Sequence, residues 1–582
     1  MSGLRKVPIA STMPEDTAPP LWPRRSSHAL PLAATLLLGL LAYSNSLHGP
    51  FVFDDRQHIR DNPVIRDLSN YLGSWTGYRG MPDRFIAYLT FALNYRLGGL
   101  EVVGYHAFNL GVHLLCAMLL YAFVLLTFQT PRLAPSSLAS SARSVAFAAS
   151  ALFATHPIQT QAVTYIVQRI TSLATLFYLL SIILYVCFRL ARDAEPTCLA
   201  RNAITYALAL LAAIAAMRTK EIAFTLPFAL IFYELFFFPK ANNRLVLLVP
   251  FLATSLIIPL TLVNPHSPLA EVLAKASERT RVETTAPRLD YLRTQLAVIV
   301  TYLRLLVLPI GQNLDHDYPL YRSFLAPRVL CSLSFIVLIL AGATWLWWRS
   351  SPQLGQRAFD PSARLLAYCV TWFFLTLLVE SSVIPILDLA NEHRVYLPSI
   401  GFFTATATVL GLLCRRVSRS EPGRLTWLTA LFFAILLTVA TLRRNEVWAS
   451  DISLWADAAA KSPVKARPFY NLGSALATAG YPEQGILALQ RAVQLDPSLA
   501  RAHAQLGATL LAEGRVSLAE PEIRQAIRLD PKSPEPVFNL AMLLLRTRRP
   551  SEASRWFRRF LEIAPPSYEA ARRVAMSRAT SP

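Results

Sequence analysis

Apolar runs long enough to cross roughly 30 Å of hydrocarbon recur along the first three quarters of the chain, and they leave it few ways to fold. They lie near residues 28–47, 105–128, 144–156, 170–190, 202–217, 222–238, 244–263, 291–310, 328–348, 364–384, 398–414 and 424–442. The third is short, and the eighth carries Arg293 and Arg304. At 582 residues, 54% hydrophobic and 16% charged, with mean hydropathy +0.38, most of the chain is membrane span. The expected fold class is all-α: a polytopic membrane helix bundle over residues 28–442, followed by a different C-terminal part. Residues 1–27, rich in Pro, Ser and Arg, are expected to be a disordered cytoplasmic tail. The run at 30–47 is long for a signal peptide, so it is expected to remain as the first span.

The charge of +20 is spread over short tracts between apolar runs, the distribution produced by positive-inside bias rather than by a nucleic-acid patch, so no nucleic-acid partner is expected. Five of the six cysteines, Cys116, Cys187, Cys331, Cys369 and Cys414, lie within or at the ends of apolar runs, and Cys198 sits in a short loop. With no CxxC pattern, neither a zinc site nor a disulfide framework is indicated.

Loop charge decides the topology. With the N-terminus inside, Arg132 and Arg143, then Arg189, Arg192 and Arg201, then Lys240 and Arg244, all fall on the cytoplasmic side. If residues 291–310 also crossed, Arg349, Arg357, Arg364, Arg415, Arg416, Arg419 and Arg424 would face outward. Treating that run as a re-entrant or interfacial helix returns them to the cytoplasm and leaves about eleven spans. The loop 48–104, with the tracts Phe51–Arg56, His156–Arg169, Arg218–Glu221, Asp315–Tyr318 and Asn391–Arg394, then faces out together. Residues 264–290, with Pro265, Pro268 and Pro287, are expected to form an outer lid.

From about residue 445 a period of 34 sets in. Asp496-Pro497, Asp530-Pro531 and Ala564-Pro565 mark it. Asn471-Leu472-Gly473, Gln505-Leu506-Gly507 and Asn539-Leu540-Ala541 keep step, as do the apolar Trp455, Leu489, Ile523 and Phe557. This is the helix-turn-helix pattern of tetratricopeptide repeats. Three are expected within 466–568, an α-solenoid preceded by a half-repeat at 443–465 and followed by a tail at 569–582. The repeats are expected to bind an acceptor polypeptide or another envelope protein.

Asn45-Ser46-Leu47, Phe51–Asp55, His156-Pro157 running into Gln168-Arg169, Lys220-Glu221, and Glu392–Ser399, ahead of tetratricopeptide repeats, resemble the transmembrane and tetratricopeptide-repeat O-mannosyltransferases and their bacterial relatives. The resemblance covers most of the chain and rests on the order of short motifs. It implies a GT-C architecture, a polyprenyl-phosphate donor of a mannose-like sugar, and transfer to a hydroxyl outside the cytoplasm. The sequence departs from the animal proteins in its few repeats and in placing His393 between Glu392 and Arg394.

Such an enzyme needs a base for a Ser or Thr hydroxyl and fixed positive charge for the leaving phosphate. Asp54 or Asp55 is the candidate base; the bland alternative is that they cap the loop helix that follows. Arg56, Arg169, Lys220 and Arg394 lie outside against the positive-inside trend and are candidate phosphate contacts. The alternative is pairing with acids such as Glu221 and Glu392. His156, Gln168, Glu221, Asp315, His316, Asp317, Glu392 and His393 are further candidates for donor-phosphate or substrate contact. Asp315, His316 and Asp317 have the residue types for a divalent cation, but consecutive residues cannot all ligate without a sharp turn, so no cofactor is assigned. A second class of function stays open: a membrane scaffold with an inactive bundle, whose repeats recruit an envelope complex. An Arg/Ala/Leu-rich chain with few repeats suits a bacterial inner membrane. On this topology a cysteine introduced at Ser420 should escape a membrane-impermeant maleimide added outside intact cells; strong labelling there would overturn the eleven crossings.

Overall fold

The computed structural model describes residues 26–74, 76–194, 197–239, 246–262, 286–382 and 384–579. The N-terminal stretch through Arg25, the basic residues Lys240 and Arg244, and most of the expected lid at 264–290 lie outside the described residues. The described chain is all-helical, with a helix bundle leading into an array of helix pairs.

Among the described residues six helices are long and apolar enough to cross a membrane: Val102–Phe128, Ile166–Ala194, Leu199–Met217, Pro327–Arg349, Ser399–Val417 and Pro422–Glu446. His28–Ala42, Val246–Leu260 and Ser362–Leu377 are shorter apolar helices. At the centre lies Ala142–Thr155, short but buried at every position from Val145 to Thr155. It packs against Ser26–Ala42, Val102–Phe128, Ser399–Val417 and Pro422–Glu446. Its alanines explain the position, because small side chains let four neighbours close around one helix. Peripheral helices turn apolar side chains outward, Val337 and Leu338 on one and Phe432 and Phe433 on another, as a lipid-facing surface requires.

The two ends of the bundle differ chemically. At one end Arg132 donates to the Leu235 carbonyl at 3.0 Å, and Arg364 to those of Phe236 and Ser350 at 3.3 and 3.1 Å. Arg415 bonds the Ser137 carbonyl there as well. The last four carbonyls of a helix have no partner within it, so arginines at helix C-termini satisfy groups that would otherwise be bare. The opposite end carries the mixed polar tracts and the repeat array. Helix Arg288–Val307 belongs wholly to that end. The Tyr291 hydroxyl donates to the Glu380 carbonyl at 3.0 Å, Gln295 to Leu389 at 2.8 Å, and the Leu306 carbonyl meets His156 at 3.1 Å.

Three helix pairs make the array: Ala466–Thr478 with Pro482–Leu495, Ala500–Ala512 with Val516–Leu529, and Pro534–Arg546 with Pro550–Ile563. Gly473 shows why the repeat needs a small residue, since a Cβ there would lie 2.6 Å from the Leu489 side chain and 2.9 Å from the Gly485 carbonyl. Trp455, Leu489, Ile523 and Phe557 are all buried. Residues 569–579, expected as a tail, instead form the helix Glu569–Ala579, which packs on Pro550–Ile563 and buries Ala575. An exposed end repeat would leave its apolar face in water, and this helix covers it.

Gly401 marks a close approach of two helices in the bundle: a Cβ there would stand 2.6 Å from the Cys369 carbonyl oxygen and 2.9 Å from the Trp372 ring. Overpacking of this kind costs about 1–3 kcal/mol. Gly401→Val should therefore lower the thermal midpoint in detergent, and an unchanged midpoint would show that the two helices separate freely.

Candidate active site

The polar tracts meet around one cavity of about 410 Å³ at the array end of the bundle. Its wall includes Asp54 and His58 from the first loop, Gln168, Lys220 and Glu221, then Glu380, Asp388, His393 and Arg394. Arg467, from the first helix of the first repeat, completes it.

The loop at Asp54 is built to present one acid and hide the other. Phe53 has φ +47°, a left-handed conformation unusual for a side chain of this size. Its ring is held by Tyr165 in a stacked contact and by the edge of Trp455, with centroids 6.5 and 5.3 Å away. The turn sends Asp55 inward, where it is fully buried; its two carboxyl oxygens accept from the amides of Val167 at 2.7 Å and Val52 at 3.1 Å. Asp55 stands at the N-terminus of the short helix Arg56–Arg60 but makes no capping bond with its side chain. Asp54 turns the other way, into the cavity, with its backbone amide donating to the Tyr165 hydroxyl at 3.0 Å. Burial raises the Asp54 pKa above the usual carboxylate value, against the Tyr165 hydroxyl and the nearby His58.

The cationic candidates divide. Arg394 faces the cavity and donates to neutral oxygens, the carbonyls of Asp388 at 2.7 Å and Leu389 at 3.3 Å and the Tyr291 hydroxyl at 3.5 Å. Lys220 also lines it, paired with Glu380 at 2.6 Å and bonded to Thr171 at 3.0 Å. Glu221 pairs with Arg84 at 3.3 Å. Arg56 is turned away and bound to Asp451, next to the repeats.

Arg169 corrects the phosphate assignment made from its position. It is fully buried, donating to Asn109 at 2.7 Å, Asn94 at 2.5 Å and the Tyr105 carbonyl at 3.0 Å, with its guanidinium 4.3 and 4.6 Å from the rings of Phe108 and Phe91. These bonds fasten helices Phe85–Gly98, Val102–Phe128 and Arg169–Ala194 together and leave it no route to a substrate. His156 is likewise corrected to a structural role, since it is buried between the Leu306 carbonyl and the Ile158 amide at 3.1 and 3.2 Å.

The tract Asp315–Asp317 does not form a cation site. Asp315 is engaged by Lys465 and Arg467, and His316 meets Glu392 at 3.1 Å. Asp317 is exposed. No group of three metal-ligating side chains is assembled among the described residues. Burial acts to raise the pKa of Asp315, but Arg467 and Lys465 outweigh it and hold the carboxyl below its usual value. Glu392 is a hub beneath the cavity, accepting from the Asn313 amide at 2.6 Å and the Gln312 side chain at 2.8 Å. His393 and Gln168 line the cavity, and the His393 amide donates to Gln161 at 2.8 Å.

Arg84, His58, Tyr165 and Arg467 were not legible as site residues. Tyr165 lies inside the tract His156–Arg169 and His58 just past Phe51–Arg56, whereas Arg84 and Arg467 enter the wall beside partners far away in sequence, Glu221 and Asp315. Glu380 and Asp388 also reach the cavity.

Fold and site together define a polytopic helical membrane protein whose polar cavity is closed on one side by a tetratricopeptide array. Tetratricopeptide-repeat family models match residues 466–499 and 510–575. Over the longer span the chain is similar to Protein O-mannosyl-transferase F38B6.6 of Caenorhabditis elegans, 24% identical across 81% of this chain and 64% of the relative. It is 26% identical to Protein O-mannosyl-transferase Tmtc3 of Drosophila melanogaster across 78% of this chain and 54% of that protein. For Protein O-mannosyl-transferase TMTC1 of Homo sapiens the figures are 24%, 80% and 55%. These curated homologues are thus protein O-mannosyltransferases, and the chain spans between 54% and 64% of the length of these three.

The two acids predict separable defects. In Asp55→Asn the amide nitrogen would face one of the two backbone N–H donors, leaving a buried donor unpaired at about 1–3 kcal/mol. Thermal melts should show Asp55→Asn destabilised and Asp54→Asn near the unsubstituted protein. The reverse order would contradict the orientation of the turn.

Proposed function

We propose that this protein moves a mannose-like sugar from a polyprenyl-phosphate donor to Ser or Thr hydroxyls of an extracytoplasmic polypeptide. The observation that carries the proposal is the cavity itself, whose wall contains both Asp54, an acid outside any ion pair among the described residues, and Arg394, whose bonds are to neutral oxygens. Asp54 takes the hydroxyl proton as the acceptor oxygen attacks the anomeric carbon. The bond from that carbon to the phosphate oxygen breaks, and the polyprenyl phosphate departs as an anion. Arg394 and Lys220 lie where that negative charge develops, and fixed donors in a site shielded from water stabilise it most effectively. Glu380 and Glu221 hold Lys220 and Arg84 in place until a phosphate arrives.

Homology to protein O-mannosyltransferases over most of the chain supports the choice of sugar and acceptor class. We also propose eleven crossings, with the N-terminus inside a bacterial inner membrane and the cavity outside. Two features favour this topology: the arginines gathered at the opposite end, and helix Arg288–Val307 lying across the cavity end. The array serves as the acceptor-binding surface.

A base with a raised pKa must lose its proton before it works, so the rate should fall on the acidic side with a midpoint above the ordinary aspartate value of about 4. Asp54→Asn should lower kcat/KM for a Thr peptide by roughly 10²–10⁴-fold and abolish that acidic limb. Undiminished transfer in Asp54→Asn membranes would remove Asp54 as the base.

A further inference from the structure

The array is joined to the bundle by two kinds of contact. Most are made away from the cavity. Lys461 donates to the Gln312 carbonyl at 2.7 Å, Asn313 to the Ser462 hydroxyl at 2.9 Å, and that hydroxyl to the Asp315 carbonyl at 2.7 Å. Lys465 pairs with Asp315, and Arg444 with Asp457 at 2.9 Å. Arg467 is different. It holds Asp315 through two nitrogens, at 2.6 and 2.5 Å, and reaches past it to the Asp388 carboxylate at 2.5 Å. Its guanidinium carbon also lies 5.6 Å from the centre of the Phe53 ring.

Both of the further contacts lead to reacting groups. Phe53 is the strained residue immediately before Asp54. Asp388 is the residue whose carbonyl binds Arg394 at 2.7 Å. We propose that the first tetratricopeptide repeat is part of the active site, with Arg467 as a positioning residue that sets the Phe53–Asp54 turn and the Asp388–Arg394 pair at their working separation. The proposal rests on the glycosyltransferase reading above and goes beyond it by making the array necessary to chemistry as well as to acceptor binding. A cation stacked on Phe53 favours the ring position that the left-handed backbone demands. A guanidinium is suited to the task because its planar fork can engage two carboxylates at fixed angles, which an ammonium cannot.

Acceptor length separates positioning from acceptor binding. Full-length protein in membranes would be assayed with mannosyl-phosphoryl-polyprenol and two acceptors: a Thr peptide too short to reach the second repeat, and a long Thr-rich peptide. Arg467→Ala should lower kcat by roughly tenfold to a hundredfold on both acceptors alike, the size of loss that misplacement of a catalytic group produces, with acceptor KM little changed. Arg467→Lys should recover part of the loss. Lys465→Ala, which touches the same Asp315 away from the cavity wall, should stay close to the unsubstituted rate and report on docking alone. A loss confined to the long peptide, or a rise in KM at unchanged kcat, would overturn the proposal by making Arg467 an acceptor contact. An equal loss in Lys465→Ala would overturn it in favour of general docking. Absence of transfer by the unsubstituted protein is a separate result that would remove the glycosyltransferase reading and this proposal with it.

Discussion

The structure depends on how a helix bundle accommodates a charge that it cannot expose. Arg169 is wholly buried, and its guanidinium is satisfied by Asn94, Asn109, the Thr90 and Tyr105 carbonyls and the faces of two phenylalanines. Leaving such a group unpaired would cost several kcal/mol, so the helices that carry its partners are held in one arrangement. That arrangement fixes the Val167 amide, which binds Asp55, and the Asp55 clamp in turn directs Asp54 into the cavity. A residue with no path to substrate thereby determines where the proposed base points.

The array is tied into the same polar end. Trp448, Leu454 and Trp455, which lead into the repeats, share an apolar core with Phe51, Val52, Tyr165 and Leu314 from the bundle's loops. Around this core run the ion pairs of Asp315, Asp451 and Asp457. Apolar burial without direction holds the parts together, and the charged contacts fix their register. The array therefore continues the cavity wall at Arg467.

Much of this architecture was legible in the sequence, for a physical reason: spans and repeats are periodic or long, and their signal accumulates over many residues. Gly473 and Leu489 announce a close helix pair through spacing alone. The site was legible less evenly. Asp54, Lys220, His393 and Arg394 were reachable because polar residues near membrane spans need a local cause, and the cavity supplies it. Arg169 has a different cause, since burial among Asn94, Asn109 and aromatic rings is a second way to accommodate a charge at that depth. Asp315 was read as a candidate substrate contact, whereas its partners Lys465 and Arg467 lie some 150 residues away in the chain. Arg467 carried no local mark at all, because its place depends on how two separately recognisable parts dock.

The proposed transfer turns on where the donor sits relative to Asp54. A cryo-electron-microscopy structure of the Asp54→Asn protein with mannosyl-phosphoryl-polyprenol tests it most directly. The donor phosphate is expected against Arg394 and Lys220, with the anomeric carbon turned toward position 54. A donor bound at the arginine-rich end of the bundle, or one whose sugar lies beyond reach of position 54, would contradict it.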